Sequence, residues 1–221
     1  MCEEGVIKKP LIVKIYVKFL WKTTDDENYR RLYEKIEIRK EDNKNVVLLS
    51  REQLERLLDA CASISFELKV LVEITYETGA RISEILSLRV GDVSFDELGA
   101  QVRIGQSKSQ ARVLRVVFYA ADLARLVEGR DPREHIFHYE YNTYLRWLRK
   151  AYRMAGLPNI RQKFHVLRHT RATELAKVFN VFELKEFGGW RDIRTVLRYI
   201  HLSARDAEEA YLASLGLKDQ K

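Results

Sequence analysis

Hydrophobic positions recur at helical spacing over most of the chain. Leu54, Leu57 and Leu58 form an apolar stripe that predicts a helix, and Ser50 stands where an N-cap belongs. The next helix is predicted over Phe66–Thr78, which is dense in Leu, Val and Ile and is followed by a glycine. The density of apolar residues indicates that this second helix is buried.

The hydrophobic period changes in the middle of the chain. Stretches at 93–95, 102–104 and 113–118 are rich in β-branched residues, alternate in polarity and are separated by turn residues. Helical spacing returns from Asp122 onward. The predicted later helices are 139–155, 167–179, 182–187, 193–199 and 205–215. We therefore predict a mainly α fold with a small three-stranded antiparallel β-sheet.

Residues 1–44 differ from the rest of the chain. Ile15 and Phe19 belong to an apolar face at helical spacing, but a charged stretch at 39–44 follows that has little to bury. We predict a boundary there, with an N-terminal segment and linker at 1–44 and the main domain at 45–221. The apolar run near the N-terminus is interrupted by lysines and is too short to span a bilayer, so no membrane association is predicted.

Composition adds a constraint on partners. The 221 residues include 39 Lys and Arg against 32 Asp and Glu, a net charge of +7. A basic excess favours a polyanionic partner without naming one. Cys2 and Cys61 have no metal-ligand spacing and make no disulfide framework, which fits a reducing, cytoplasmic setting.

Two segments on either side of the predicted sheet carry residues suited to binding phosphate. Arg81 follows a glycine turn and begins a helix, and Glu84 lies one helical turn on, where it can hold the guanidinium. Lys108 lies at a polar hairpin tip, from which a lysine can reach a phosphodiester. Taken alone, each is more typical of a surface ion pair or a solvated lysine.

Two later segments add an acid–base group and a nucleophile. His165 and Arg168 are three residues apart at a helix start, where imidazole, guanidinium and backbone amides can bind one phosphate. His169 is interpreted as a structural histidine. Tyr199 stands among arginines, which favour its phenolate, although a core position is the commoner role for any one of 11 tyrosines.

Together these residues supply what phosphoryl transfer without a metal needs. The requirements are in-line attack, neutralisation of the equatorial oxygens and protonation of the leaving group. No acidic cluster of the metal-ligand type accompanies them in the sequence, which argues against a two-metal nuclease. We predict that the chain uses neither a metal nor a cofactor.

Three sequence boxes resemble the signatures of the tyrosine recombinase family. They are TGARISEILSLRVGD at 78–92, HVLRHTRATEL at 165–175 and GGWRDIRTVLRYIH at 188–201. Their order, their spacing and the sheet between the first two match the family. The resemblance implies the tyrosine recombinase catalytic-domain fold. It also implies double-stranded DNA as partner, and cleavage and rejoining through a 3′-phosphotyrosyl intermediate.

The resemblance assigns a role to each matching residue. Arg81 and Arg168 resemble the two arginines that clamp the scissile phosphate, and Tyr199 resembles the nucleophile. Lys108 resembles the lysine that protonates the departing 5′-oxygen. His165 resembles a histidine that donates a hydrogen bond or transfers a proton.

The third box departs from the usual pattern. Trp190 lies nine residues before Tyr199, where many relatives have histidine and some have tryptophan. Its indole can donate a hydrogen bond to a phosphate but cannot shuttle a proton. The run Gly188, Gly189 and Trp190 replaces the commoner Leu-Gly-His. Glu84 matches an acidic position that supports the first arginine.

Family members usually carry an N-terminal helical domain that residues 1–44 are too few to form. That segment is interpreted as the remnant of a core-binding domain, a truncation or a piece of a split gene. The predicted helix at 205–215 either docks into a neighbouring protomer of a tetramer on DNA or packs on its own domain. Two alternative functions stay open: type IB topoisomerase-like nicking and resealing, and regulation of a full-length integrase by a truncated DNA-binding chain.

Overall fold

The computed structural model describes residues 10–36, 47–105, 111–160 and 163–202. The chain divides into two compact units, Met1–Asn45 and Val46–Lys221. The first unit contains α1 (Pro10–Thr24) and α2 (Glu27–Lys35). Ile15 and Phe19 are helical, as their spacing predicts, but both side chains are exposed.

The second unit is mainly helical in its described part, with a three-stranded sheet near its beginning. Its strands β1 (Val93–Asp96), β2 (Gly99–Ile104) and β3 (Arg112–Val116) are antiparallel in the order β1-β2-β3. Its helices are α3 (Arg51–Ala62), α4 (Phe66–Thr78), α5 (Ile82–Leu86), α6 (Ala120–Val127), α7 (Tyr141–Met154), α8 (Lys163–Leu175), α9 (Val181–Gly188) and α10 (Ile193–Leu202). The predicted fold class is therefore confirmed.

Local capping explains why two of the helices begin and end where the sequence predicts. Ser50 Oγ accepts from the Gln53 amide at 3.2 Å, and Gln53 Oε1 accepts from the Ser50 amide at 2.9 Å. This reciprocal pair satisfies two amides that the first turn of α3 leaves without helical partners. At the end of α4, Gly79 takes a left-handed conformation with φ +59°, which a side chain would oppose.

Several predicted boundaries were wrong for reasons that lie outside the local sequence. β3 ends at Val116, not at 118, because the buried Glu77 carboxylate accepts from the next three backbone amides, at 2.6, 3.0 and 3.2 Å. The helix predicted at 167–179 runs from Lys163 to Leu175. It is buried on several sides and therefore lacks the single apolar stripe that marks a surface helix. The helix predicted at 205–215 lies outside the described residues.

Helix α4 forms the centre of the main core. Val70, Leu71, Val72 and Ile74 have no exposed surface, so this helix is covered on all sides by its neighbours. A second, smaller cluster joins α8, α9 and α10. Its buried members are Ala172, Leu184, Trp190, Val196 and Tyr199. Two residues that the sequence singles out for chemistry therefore lie inside a hydrophobic cluster.

Candidate active site

Arg81 lies between α4 and α5 and is held by the first turn of α5. Its backbone amide donates to Glu84 Oε2 at 2.8 Å, and its Nη1 donates to Glu84 Oε1 at 3.2 Å. The Arg81 side chain is 44% exposed, whereas that of Glu84 is 10% exposed. A nearly buried carboxylate thus anchors an arginine whose guanidinium stays accessible to a ligand.

Arg112, at the start of β3, binds the other side of the same carboxylate. Its Nη2 lies 3.1 Å from Glu84 Oε2, and its Nε donates to the Phe187 carbonyl at 3.0 Å. The side chain is 9% exposed. Arg112 therefore connects the sheet, α5 and the end of α9. The sequence predicts no role for Arg112, because nothing local marks an arginine at a strand start as buried.

Arg168 projects from α8 between the ends of two other helices and is 6% exposed. Its Nη1 donates to the Gly79 carbonyl at 2.5 Å, and its Nη2 donates to the Gly188 carbonyl at 2.9 Å. Carbonyls at helix C-termini lack intrahelical donors and carry partial negative charge, so a guanidinium stabilises them. Burial, reinforced by the positive charge of Arg81, lowers the pKa of Arg168 to about 10, and the group stays charged at neutral pH.

Trp190 packs on the face of Arg168 and explains the two glycines that precede it. The Arg168 Cζ atom lies 4.2 Å from the indole centroid. A Cβ atom at Gly188 would lie 1.8 Å from the same ring, so only glycine leaves room for it. A Cβ atom at Gly189, which has φ +61°, would lie 2.6 Å from Arg112 Nη1. The Gly-Gly-Trp sequence is thus a packing requirement.

Tyr199, on α10, lies against both Trp190 and α8. Its ring centroid is 5.3 Å from that of Trp190, and its hydroxyl is 2.8 Å from His169 Nδ1. The side chain is 2% exposed, and burial raises the pKa of its phenol although Arg168 and Arg198 act to lower it. The expectation that clustered arginines favour the phenolate was wrong for this arrangement, because the cost of burying an anion outweighs them.

The two histidines of the second box take different positions. His165 lies near the start of α8 with part of its surface in solvent. Partial desolvation of the ring, together with the positive charges of Arg168 and Arg81, lowers its pKa. His169 is half-buried, and burial, together with His165 and two arginines, lowers its pKa to about 4. The interpretation of His169 as a structural residue overlooked its contact with the Tyr199 hydroxyl. In the sequence these two residues are 30 positions apart, and no local signal joins them.

The candidate residues that the structure describes line one cleft of about 840 Å³. The predicted site residues that line it are Arg81, Glu84, His165, Arg168, Trp190 and Tyr199. Lys108 lies outside the described residues, but Gly105, at the end of β2, also lines the cleft. Arg191 and Arg198 add two more cations to its wall. The cleft is therefore suited to an anionic group such as a phosphodiester.

Among the described residues, no three side chains of His, Cys, Asp or Glu gather as they would around a metal ion. No helix in the part of the chain that the structure describes is long and apolar enough to cross a membrane.

Comparison with known proteins identifies relatives over most of the second unit. Residues 48–206 match the profile of the phage integrase family. The tyrosine recombinase XerA of Saccharolobus solfataricus is 29% identical over 183 residues, and the match covers 80% of this chain and 60% of the XerA chain. The integrase of Salmonella phage P22 is 30% identical over 195 residues, and the match covers 79% of this chain and 48% of the P22 integrase chain. The chain thus spans about half the length of these relatives.

Solved structures agree with these matches. The catalytic domain of bacteriophage HP1 integrase superimposes with a TM-score of 0.61 at 26% identity, covering 76% of this chain and 94% of that one. A XerA recombinase crystal structure superimposes with a TM-score of 0.63 at 19% identity, and the match covers 98% of this chain and 86% of that one. The fold of the second unit is accordingly that of a tyrosine recombinase catalytic domain, and the chain belongs to the phage integrase family of tyrosine recombinases.

Proposed function

We propose that the chain is a site-specific DNA recombinase that cleaves and rejoins DNA through a 3′-phosphotyrosyl intermediate without metal or ATP. The observation that carries this proposal is the meeting of Arg81, Arg168, His165 and Tyr199 in one cationic cleft. Membership of the phage integrase family supports the reaction class. The names of its relatives, XerA recombinase and phage integrase, support the same activity.

In the proposed reaction, the Tyr199 oxygen attacks phosphorus opposite the 5′-oxygen. Arg81 and Arg168 neutralise the non-bridging oxygens, and Glu84 keeps Arg81 oriented. His165 donates a hydrogen bond to the phosphate, and so does the indole N–H of Trp190. The phosphotyrosyl bond conserves the energy of the broken ester, and a 5′-hydroxyl from the partner strand then attacks it.

Lys108 is assigned to protonate the departing 5′-oxygen. Removing a positioned proton donor costs about 10²–10⁴-fold in rate. Lys108→Met is therefore expected to cleave ordinary DNA that much more slowly. The defect should vanish on DNA with a sulfur atom in place of the 5′-oxygen, because a thiol of pKa about 8.5 leaves without an acid. A variant equally slow on both substrates would refute the assignment.

Double-stranded DNA is the proposed partner, and helix α7 supports it. Arg146, Arg149, Lys150 and Arg153 are exposed and repeat at helical spacing, so one face of α7 is basic. The first residue of this helix, Tyr141, packs against Phe164, which lines the cleft. A duplex bound there should show affinity that falls steeply with salt.

Three further assignments belong to the proposal. Residues 1–44 form an N-terminal segment and linker, and 45–221 form the catalytic domain. The protein acts as a tetramer on DNA, assembled through the predicted helix at 205–215, and it is cytoplasmic and DNA-associated. Deleting residues 203–221 should weaken assembly on DNA, and analytical ultracentrifugation of the complexes measures this. Unchanged assembly would contradict the role of that helix.

The proposal is tested with a suicide substrate. The full chain is mixed, in EDTA, with nicked duplexes that carry candidate attachment sites, and denaturing gels are examined for a covalent adduct. The wild type should form an adduct that Tyr199→Phe does not form. Absence of any adduct while DNA binding persists would instead support a truncated regulator of a full-length integrase.

A second assay separates recombination from type IB topoisomerase-like activity. Two duplexes with different labels are incubated together, and the exchange of strands between them is measured. Recombination predicts products that carry both labels. Relaxation of supercoiled plasmid without any exchange would favour nicking and resealing of one strand.

A further inference from the structure

The hydroxyl of the nucleophilic tyrosine is held by a histidine with no assigned part in the reaction. His169 Nδ1 lies 2.8 Å from the Tyr199 oxygen, and the two rings are 5.7 Å apart and tilted by 39°. On its other side, the Tyr199 ring packs against Trp190. The position of the attacking oxygen therefore depends on His169.

We propose that His169 is a catalytic residue, which orients the Tyr199 hydroxyl and accepts its proton as the oxygen attacks phosphorus. This inference rests on the proposed function. It identifies the base that the tyrosine needs, since a phenol with a pKa of about 10 is a weak nucleophile at neutral pH.

Helix α8 sets the spacing between this base and the phosphate-binding group. Arg168 and His169 are adjacent, so one rigid element carries both the guanidinium for the phosphate and the partner of the nucleophile. Arg168 is fixed by two helix-terminal carbonyls, and this fixes the register of His169 against α10. A proton acceptor on a rigid helix meets the geometric requirement for general base catalysis.

A bond forms between the Tyr199 oxygen and phosphorus, and the bond from phosphorus to the 5′-oxygen breaks. The phenolic proton passes to His169 Nδ1, and the 5′-oxygen takes a proton from Lys108. In rejoining, the 5′-hydroxyl gives its proton back to Lys108 as its oxygen bonds to phosphorus. The bond from phosphorus to the Tyr199 oxygen breaks, and His169 returns its proton to the phenolic oxygen.

The charges around the ring favour an unprotonated imidazole before DNA binds. The groups that face His169 are His165 and Arg168 on α8 and Arg198 and Tyr199 on α10. Burial and these cations lower the His169 pKa to about 4, so at neutral pH the ring carries no charge. A phosphate in the cleft opposes the part of this shift that Arg168 and Arg198 cause, so the negative charge of the substrate assists proton transfer to the ring.

Two substitutions at His169 distinguish a base from a structural residue. His169→Leu removes the acceptor. His169→Asn keeps an oxygen near the position of Nδ1 but cannot take up a proton. His135→Leu is the matched control, because His135 is an exposed histidine outside the cleft. For each chain, single-turnover adduct formation on the suicide substrate is measured from about pH 3.5 to 9, a range that includes the His169 pKa of about 4, together with DNA affinity.

His169→Leu should form adduct about 10²–10⁴-fold more slowly than wild type, with DNA affinity unchanged. His169→Asn should also be slow, and its rate should lack the decline at low pH that protonation of His169 causes in the wild type. A His169→Leu rate within threefold of wild type would overturn the inference. So would a His169→Asn variant that is slow but keeps the wild-type pH profile, since that pattern indicates a structural role.

If His169→Leu does not fold, the asparagine variant alone decides through its pH profile. Failure of the proposed function has a different signature. In that case the wild type itself forms no adduct, whereas failure of this inference leaves wild-type cleavage and its dependence on Tyr199 intact.

Discussion

Replacing Gly188 by alanine adds one methyl group at the most crowded point of the candidate site. The new Cβ atom would lie 1.8, 2.1 and 2.4 Å from three carbons of the Trp190 ring. Ordinary carbon contacts are about 3.5–4.0 Å, so the indole must move by about 1.5 Å or more. Such a shift separates the indole from Arg168, now at 4.2 Å, and from Tyr199.

The expected cost combines opposing contributions. Overpacking a filled core costs about 1–3 kcal/mol, and losing a partly buried cation–π contact costs about 0.5–2 kcal/mol. Replacing glycine by alanine at a helical position offsets about 0.5–1 kcal/mol. Gly188→Ala should therefore destabilise the protein by about 1–4 kcal/mol. In a Trp190→Ala background the clash is absent, so the same change should stabilise by up to about 1 kcal/mol.

The predicted change of sign in the effect of Gly188→Ala on the free energy of unfolding is measured by urea unfolding of the four chains of the double-mutant cycle. Far-UV circular dichroism is the suitable probe, because one of the three tryptophans is removed in two of the chains. Adduct formation by Gly188→Ala should also fall, since Trp190 no longer supports Arg168. Equal destabilisation in both backgrounds would refute the reasoning and point to a backbone requirement at Gly188.

Other substitutions test the buried charges. Arg112→Met should cost about 2–4 kcal/mol in urea unfolding, because it removes a nearly buried arginine that is paired with the Glu84 carboxylate. Arg112→Lys should not restore stability, since an ammonium cannot span the same acceptors; full rescue would contradict this. The His169 pKa is lowered from 6.5 to about 4, so the unfolded chain binds more protons between these values. The contribution of His169 to stability should therefore be complete above pH 6.5 and fall toward pH 4. In His169→Leu the urea midpoint should fall less over this pH range than in the wild type. Burial raises the pKa of Glu73, a buried residue of α4, from 4.5 to about 7. Its contribution to stability is therefore complete below pH 4.5 and is lost as pH rises through 7. Glu73→Gln should remove that loss in thermal melts, and an unchanged slope would show that another group causes it.

Much of the fold could be predicted because its signals are local. The capping box at Ser50, the glycine end of α4 and the alternation of the three strands are each set by residues within a few positions of one another. The boundary of β3 could not be predicted in the same way. The carboxylate that ends it comes from Glu77, which is 40 positions earlier in the chain.

The candidate site shows the same division. The motifs identified Arg81, Glu84, His165, Arg168, Trp190 and Tyr199, and the fold places all six in one cleft. The motifs did not indicate how these residues are held. Arg112 reaches the Phe187 carbonyl across 75 positions, and Arg168 reaches Gly79 across 89.

The sequence by itself determined which elements form and which residue types serve phosphate chemistry. Both follow from local periodicity and from the functional groups themselves. Only the tertiary structure decided the protonation of those groups and their partners. Tyr199 illustrates the reason: its neighbours in sequence favour the phenolate, but burial beside Trp190 and His169 favours the phenol. Burial and hydrogen bonding depend on packing between elements that are distant in the chain.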